Sequence, residues 1–132
     1  MIDEVTSAIR EISSKNPIDE TRIYLTGLSM GGYGCFAFAA AEPNLFAAVV
    51  PICGGGDPRT ASKLVDTPMW IFHGDADDVV PVEQSREMVE SIRAAGGTKV
   101  LYTELPGVGH NSWAQTYSDP NGPISWMFNQ SR

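Results

Sequence analysis

Apolar positions near the start of the chain recur at helical spacing. Ile2, Val5, Ile9 and Ile12 predict an amphipathic helix over residues 2–13. Asn16-Pro17 ends it, because the residue before a proline is pushed out of the helical region. The period then changes. Arg22-Ile23-Tyr24-Leu25-Thr26 is rich in β-branched and aromatic residues and predicts a strand. The Ala- and Phe-rich stretch from about residue 30 to 42 predicts a helix stopped by Pro43. Phe46 to Cys53 is a continuous apolar run of strand length, closed by Gly54-Gly55-Gly56-Asp57-Pro58, a loop signal. Residues 59–66 have room for a short helix. Met69-Trp70-Ile71-Phe72 predicts a third strand. Pro81 opens a helix with Val82, Met88, Val89 and Ile92 on one face and Gly96-Gly97 beyond its last turn. Lys99 to Leu105 predicts a fourth strand. Pro123 stands in the first turn of a closing helix striped by Ile124, Trp126, Met127 and Phe128.

Strands that are apolar throughout and alternate with helices indicate an α/β fold, a parallel sheet of about four strands flanked by helices. At 132 residues the chain is expected to form one domain over 1–132. In open sheets of this kind the site lies beyond the carboxyl ends of the strands. The loops there are 27–31, 53–58, 73–80 and 106–113, and they contain one elbow serine, a cluster of aspartates and one loop histidine.

Composition narrows the partners. The net charge of −7, with its acids dispersed, argues against nucleic acid and against anionic membrane surfaces. No apolar run reaches spanning length. Met1-Ile2-Asp3-Glu4 lacks the basic start and apolar core of a signal peptide, so a soluble protein is expected, and the chain reads as beginning mid-domain. Cys35 and Cys53 are too few for a disulfide framework and read as buried free thiols. With two histidines and no Cys-x-x-Cys pair, no metal site is expected, and no cofactor.

The candidate chemistry centres on Gly27-Leu28-Ser29-Met30-Gly31. A Gly-x-Ser-x-Gly between a strand and a helix is a nucleophile elbow, in which a strained turn lifts the serine hydroxyl clear of the sheet. The flanking glycines are expected to remove Cβ atoms that would otherwise collide. A serine hydroxyl needs an imidazole to take its proton and an acid to hold that imidazole in the right tautomer. His110, between loop glycines and last in the order Ser, acid, His, is the candidate base. His73, at a strand end before Gly74, is the competitor and reads better as a group that shapes the acid loop. Asp75, Asp77 and Asp78 crowd that loop, and spacing alone does not choose the acid among them. The backbone N–H of Met30 is one candidate oxyanion donor. No His-Gly-Gly-type segment precedes Ser29 to supply a second.

Three segments resemble the phospholipase/carboxylesterase and predicted-peptidase group of bacterial esterases, relatives of dienelactone hydrolase. They are Arg22 to Gly34 around the elbow, Phe72 to Pro81 around the acids, and Gly107 to Trp113 around His110. The resemblance implies the carboxyl-terminal half of an α/β-hydrolase, with Asp77, three residues after Gly74, as the triad acid. It also implies a domain of about eight strands, of which this chain carries the last four.

The expected function is therefore a serine hydrolase of short-acyl carboxylic esters, with Ser29 as nucleophile, His110 as base and Asp77 as acid. A peptidase or thioesterase would share this chemistry. The reading from another class is a catalytically silent fragment that serves as an assembly module. A strand at 22–26 that is central in the full sheet becomes an apolar edge here, so a homodimer or larger homo-oligomer covering it is expected.

Overall fold

The computed structural model describes residues 1–132. Four strands form one parallel sheet: β1 (Tyr24–Leu28), β2 (Ala48–Ile52), β3 (Met69–Gly74) and β4 (Val100–Leu105), in the spatial order β1-β2-β3-β4. Five helices accompany them: α1 (Ile2–Lys15), α2 (Met30–Ala41), α3 (Glu83–Ala94), α4 (Trp113–Ser118) and α5 (Pro123–Phe128). A 3-10 helix spans Pro58–Lys63, where Asp57 accepts the Arg59 N–H at its start. The sheet is the predicted one.

Because successive strand side chains point to opposite faces, each strand feeds two cores. Val49, Met69, Ile71 and Val100 pack with Phe36 and Ala39 of α2 and with Met88 and Ile92 of α3. Ala48, Val50, Ile52 and Phe72 pack on the other face with Met127 of α5, beside Trp113 and Tyr117 of α4. Strands covered on both sides need no polar face, which explains the unbroken apolar run of β2, all five of whose residues are buried.

The differences from expectation have local causes. The first strand lies at Tyr24–Leu28 and not at 22–26, because Gly27 and Leu28 pair with Pro51 and Ile52 before the chain turns. The elbow therefore grows out of the strand itself. Helix α4 was not expected. Four of its six residues, Trp, Thr, Tyr and Ser, are weaker helix formers, and tertiary contact holds it: the Tyr117 hydroxyl pairs with Thr26 Oγ1 at 2.8 Å.

Helix α3 is fastened to β4 by ionic contacts. Arg86 Nε and Nη2 donate to the two carboxylate oxygens of Glu104 at 2.7 and 2.8 Å, and the Tyr102 hydroxyl donates to Oε1 at 2.6 Å. These donors, Arg86 foremost, hold the Glu104 carboxyl down at about 2, below its usual 4.5. A folded-state value below the unfolded one means the stabilisation is present above the ordinary carboxylate range and disappears as pH falls through about 2. Glu104→Gln is expected to lower Tm by a few degrees near neutrality. Thermal melts across pH should show the gap to wild type closing as pH falls from 4.5 towards 2. A gap that stays constant would exclude the carboxylate as its source.

Candidate active site

The carboxyl ends of β1, β2 and β3 and the loop after β4 converge at one rim of the sheet. Ser29 sits at the first, with φ 55° and ψ −116°, a strained conformation for a residue with a Cβ. The neighbouring strand holds that strain in place: the Ser29 N–H donates to Ile52 O at 2.9 Å and to Cys53 Sγ at 3.3 Å. Gly27 is sterically required, since a Cβ there would lie 2.5 Å from Gly31 O. Gly31 corrects the sequence expectation, because a Cβ there would meet nothing within 4 Å. Its backbone fills the space beside Gly27, while its own side position faces outward. Gly32, by contrast, is needed, because a Cβ would stand 2.6 Å from Ile52 O.

From Ser29 a hydrogen-bonded line crosses the rim. Ser29 Oγ lies 3.0 Å from His110 Nε2, and His110 Nδ1 lies 2.8 Å from Asp77 Oδ2. The serine and the histidine are 81 positions apart in sequence. The Asp77 side chain is fully buried and that of His110 is largely so. Asp77 Oδ1 accepts the N–H groups of Val79 and Val80, each at 2.9 Å, so the turn itself aims Oδ2 at the imidazole. Burial pushes the Asp77 carboxyl up, but the bonds from His110, Val80 and Val79 outweigh it, and the net shift is downward. The carboxylate therefore stays ionised opposite His110.

The other two aspartates face elsewhere. Asp75 is exposed, and its Oδ1 accepts the Gly107 N–H at 2.7 Å, bracing the loop that carries His110. Asp78 is exposed. Gly74 allows the same loop to cross β3, since a Cβ there would lie 2.2 Å from Val108 O. Trp113 of α4 meets the His110 ring edge-on, with centroids 5.5 Å apart at 86°. This support was not read from the sequence. A tryptophan three residues after the candidate base was its only local signal.

Met30 begins α2, and Tyr33 makes the first i→i−4 bond, to Ser29 O. The N–H groups of Met30 and its neighbours thus precede the helical ladder and present donors, with the positive end of the helix dipole behind them. The Met30 side chain is 87% exposed and Val79 is 64% exposed. None of the four cavities is lined by Ser29 or His110, and both residues are half-buried.

Cys53, Asp77 and His110 bring ligand-type atoms within 4.8 Å of one another. Their chemistry fits a metal poorly. Asp77 and His110 are spent on each other, Cys53 Sγ receives the Ser29 N–H, and burial pushes the thiol up, away from the thiolate a metal requires. Cys35, pushed to about 12 by burial, is a core residue, and both cysteines are free.

A parallel sheet covered by helices on both faces, with a serine elbow at its carboxyl rim, defines an α/β-hydrolase. The phospholipase/carboxylesterase family model matches residues 2–121, and the chain belongs to that family. A solved thermostable esterase superposes with TM-score 0.92 at 45% identity, over 98% of this chain and 36% of that one. The probable feruloyl esterase C of Aspergillus flavus is 26% identical over 124 residues, 93% of this chain and 46% of the relative. Esterase LipC of Mycobacterium tuberculosis is 51% identical over 43 residues, 33% of this chain and 11% of LipC. The chain thus spans under half the length of these relatives. An acylaminoacyl peptidase of Pyrococcus horikoshii shares the fold, with TM-score 0.76 at 19% identity over 86% of this chain and 24% of that one.

Proposed function

We propose that the chain acts as one α/β-hydrolase unit that cleaves short-acyl carboxylic esters through Ser29, His110 and Asp77. The observation that carries this is the unbroken hydrogen-bonded line from Ser29 Oγ to Asp77 Oδ2, at 3.0 and 2.8 Å. Ser29 Oγ attacks the ester carbonyl while His110 Nε2 takes its proton. Asp77 keeps the other ring proton on Nδ1 and stabilises the imidazolium. The Met30 N–H and the dipole of α2 receive the negative charge that develops on the carbonyl oxygen. His110 then protonates the departing alkoxide, and water, activated by the same imidazole, hydrolyses the acyl-serine. No step uses a cofactor. Within this chain no cavity is lined by Ser29, which supports a preference for small acyl groups.

The test is labelling with a fluorophosphonate, combined with hydrolysis of p-nitrophenyl esters of increasing acyl length and of matched amides. Labelling confined to Ser29 and a rate that falls with acyl length are expected. A faster amide or thioester would move the reading to a peptidase or thioesterase. The silent-module reading rests on the sequence: no His-Gly-Gly-type segment precedes Ser29 to supply a second oxyanion donor, and loss of one donor costs roughly 10²–10³ in rate. Complete absence of labelling would select it.

A second copy of the chain is proposed as the partner. Strand β1 is an edge with one side unpaired, and its residues are only partly buried or exposed, whereas those of β2 are all buried. Beside it runs an apolar groove of about 530 Å³, lined by Met1, Ile2, Val5, Leu25 and Phe38. Gly31 and Gly34 of α2 open into this groove with nothing near them, leaving room for close packing. Sedimentation at micromolar concentration is expected to give a dimer or larger species, and Val5→Glu to shift it towards monomer. A wild-type monomer under those conditions would remove this partner.

A further inference from the structure

His73 lies on β3, one residue before Gly74, and its side chain is fully buried. It stands outside the line from Ser29 to Asp77, yet both its ring nitrogens are engaged. Nε2 is 2.8 Å from the Val80 carbonyl oxygen and 3.3 Å from Asp77 Oδ2. Neither oxygen can donate while the carboxylate is ionised, so Nε2 carries a proton. Nδ1 is 2.7 Å from Ser85 Oγ on α3, and Ser85 Oγ is 3.1 Å from Gly54 O in the loop after β2. One imidazole thus ties the acid turn to α3, and the single Ser85 hydroxyl proton lies within reach of both Nδ1 and the carbonyl of the Gly54 loop that packs on the start of α2. A Cβ on Gly54 would lie 2.5 Å from the Gly32 carbonyl carbon, so that loop and the helix are in direct contact.

Packing alone does not account for this residue. An aliphatic side chain would fill the same space with no polar groups to desolvate, and buried polar atoms are destabilising unless they are bonded. The bonds of His73 converge on the residues that aim Asp77. Val80 is clamped from both sides of its backbone: its N–H holds Asp77 Oδ1, and its carbonyl is held by His73. Asp77 Oδ2 is bonded to the His110 Nδ1 proton, and His73 Nε2, whose proton goes to the Val80 carbonyl, stands 3.3 Å from the same oxygen. A carboxylate with two backbone donors on one oxygen and two imidazoles at the other has a single orientation available.

Resting on the serine-hydrolase reading above, we propose that His73 is a positioning residue: its Nε2–H holds the Val80 turn, which in turn holds the Asp77 carboxylate, and so sets the tautomer and aim of His110, with Ser85 as its anchor. Asp77 is thereby oriented from below by one histidine and used from above by another.

The test compares three variants. His73→Leu keeps bulk and removes both ring nitrogens. His73→Gln returns an amide N–H towards the Val80 carbonyl. Ser85→Ala removes the anchor. The readouts are thermal melts for folding, kcat and KM on p-nitrophenyl acetate, and the downfield proton resonance of the His110 Nδ1–H bond to Asp77. Folded His73→Leu is expected to lose roughly 10²-fold in kcat, the scale of a misplaced catalytic group, with KM little changed and that resonance shifted or lost. His73→Gln should recover most of the loss, and Ser85→Ala should move in the same direction by less. Wild-type kcat with an unshifted resonance in folded His73→Leu would overturn the role, as would a Gln variant no better than Leu. Should His73→Leu not fold, Ser85→Ala decides on the same two readouts. Fluorophosphonate labelling separates the two possible failures. An unlabelled wild type removes the hydrolase reading, whereas a labelled wild type with indifferent variants removes the positioning role alone.

Discussion

Replacing Ser29 with Ala is expected to abolish turnover of p-nitrophenyl acetate, with a loss in kcat on the order of 10⁶-fold, the scale of removing the nucleophile from a serine protease. The substitution deletes one oxygen and little else. The anchors of the elbow are backbone groups: the Ser29 N–H bonded to Ile52 O, and the Ser29 carbonyl receiving the Tyr33 N–H. Both survive in the variant. The side chain makes no capping bond to α2, so the helix keeps its start. A thermal melt close to wild type should therefore accompany the lost activity, which separates a missing nucleophile from a collapsed elbow. An alanine variant that kept a tenth of the wild-type rate would leave the chemistry without its central atom.

The second large effect is expected at Asp77, and the hydrogen bonds dictate its direction. In Asp77→Asn the two ends of the side chain are no longer equivalent. The Oδ1 position faces two donors, the N–H groups of Val79 and Val80. It must therefore take the amide oxygen, which leaves the NH2 group at the Oδ2 position facing His110 Nδ1. An NH2 group donates, so Nδ1 must accept, and the ring proton moves to Nε2. Nε2 then points a proton at Ser29 Oγ and cannot remove one. The same NH2 also faces the proton on His73 Nε2 across the 3.3 Å contact. The expected result is a fall in kcat of roughly 10⁴-fold with the fold retained. Steady-state kinetics on the short-acyl ester check it. A loss of less than tenfold would mean that Asp77 does not set the tautomer.

These two residues differ in how far they can be read from the chain alone. Ser29 is legible because its signal is local: a strand, five residues with glycine at both ends, and a helix, all within the stretch that makes the turn. Even there one detail required three dimensions. Glycine at position 31 looks like relief of a clash, but only Gly27 has one. Asp77 is not chosen by its spacing from Asp75 and Asp78. Only the resemblance to known esterases pointed to it. The choice depends on which carboxylate the Val79 and Val80 N–H groups hold inward, and on a histidine 33 residues further along. His73 was weighed as a rival base and as a loop-shaping group. Its contacts with Ser85 and Val80 favour the second, and neither contact has a periodic signature.

What the amino-acid order determined by itself was the alternation of strand and helix, the parallel sheet and the serine turn. Each rests on spacing within a few residues, where side-chain period and backbone sterics act directly. The tertiary structure alone decided which carboxylate the turn holds against His110, that a short helix braces the imidazole, and that an apolar groove runs beside the edge strand β1. Those outcomes depend on groups brought together from opposite ends of the chain. Their energies come from burial and from hydrogen bonds that form only once the sheet has assembled.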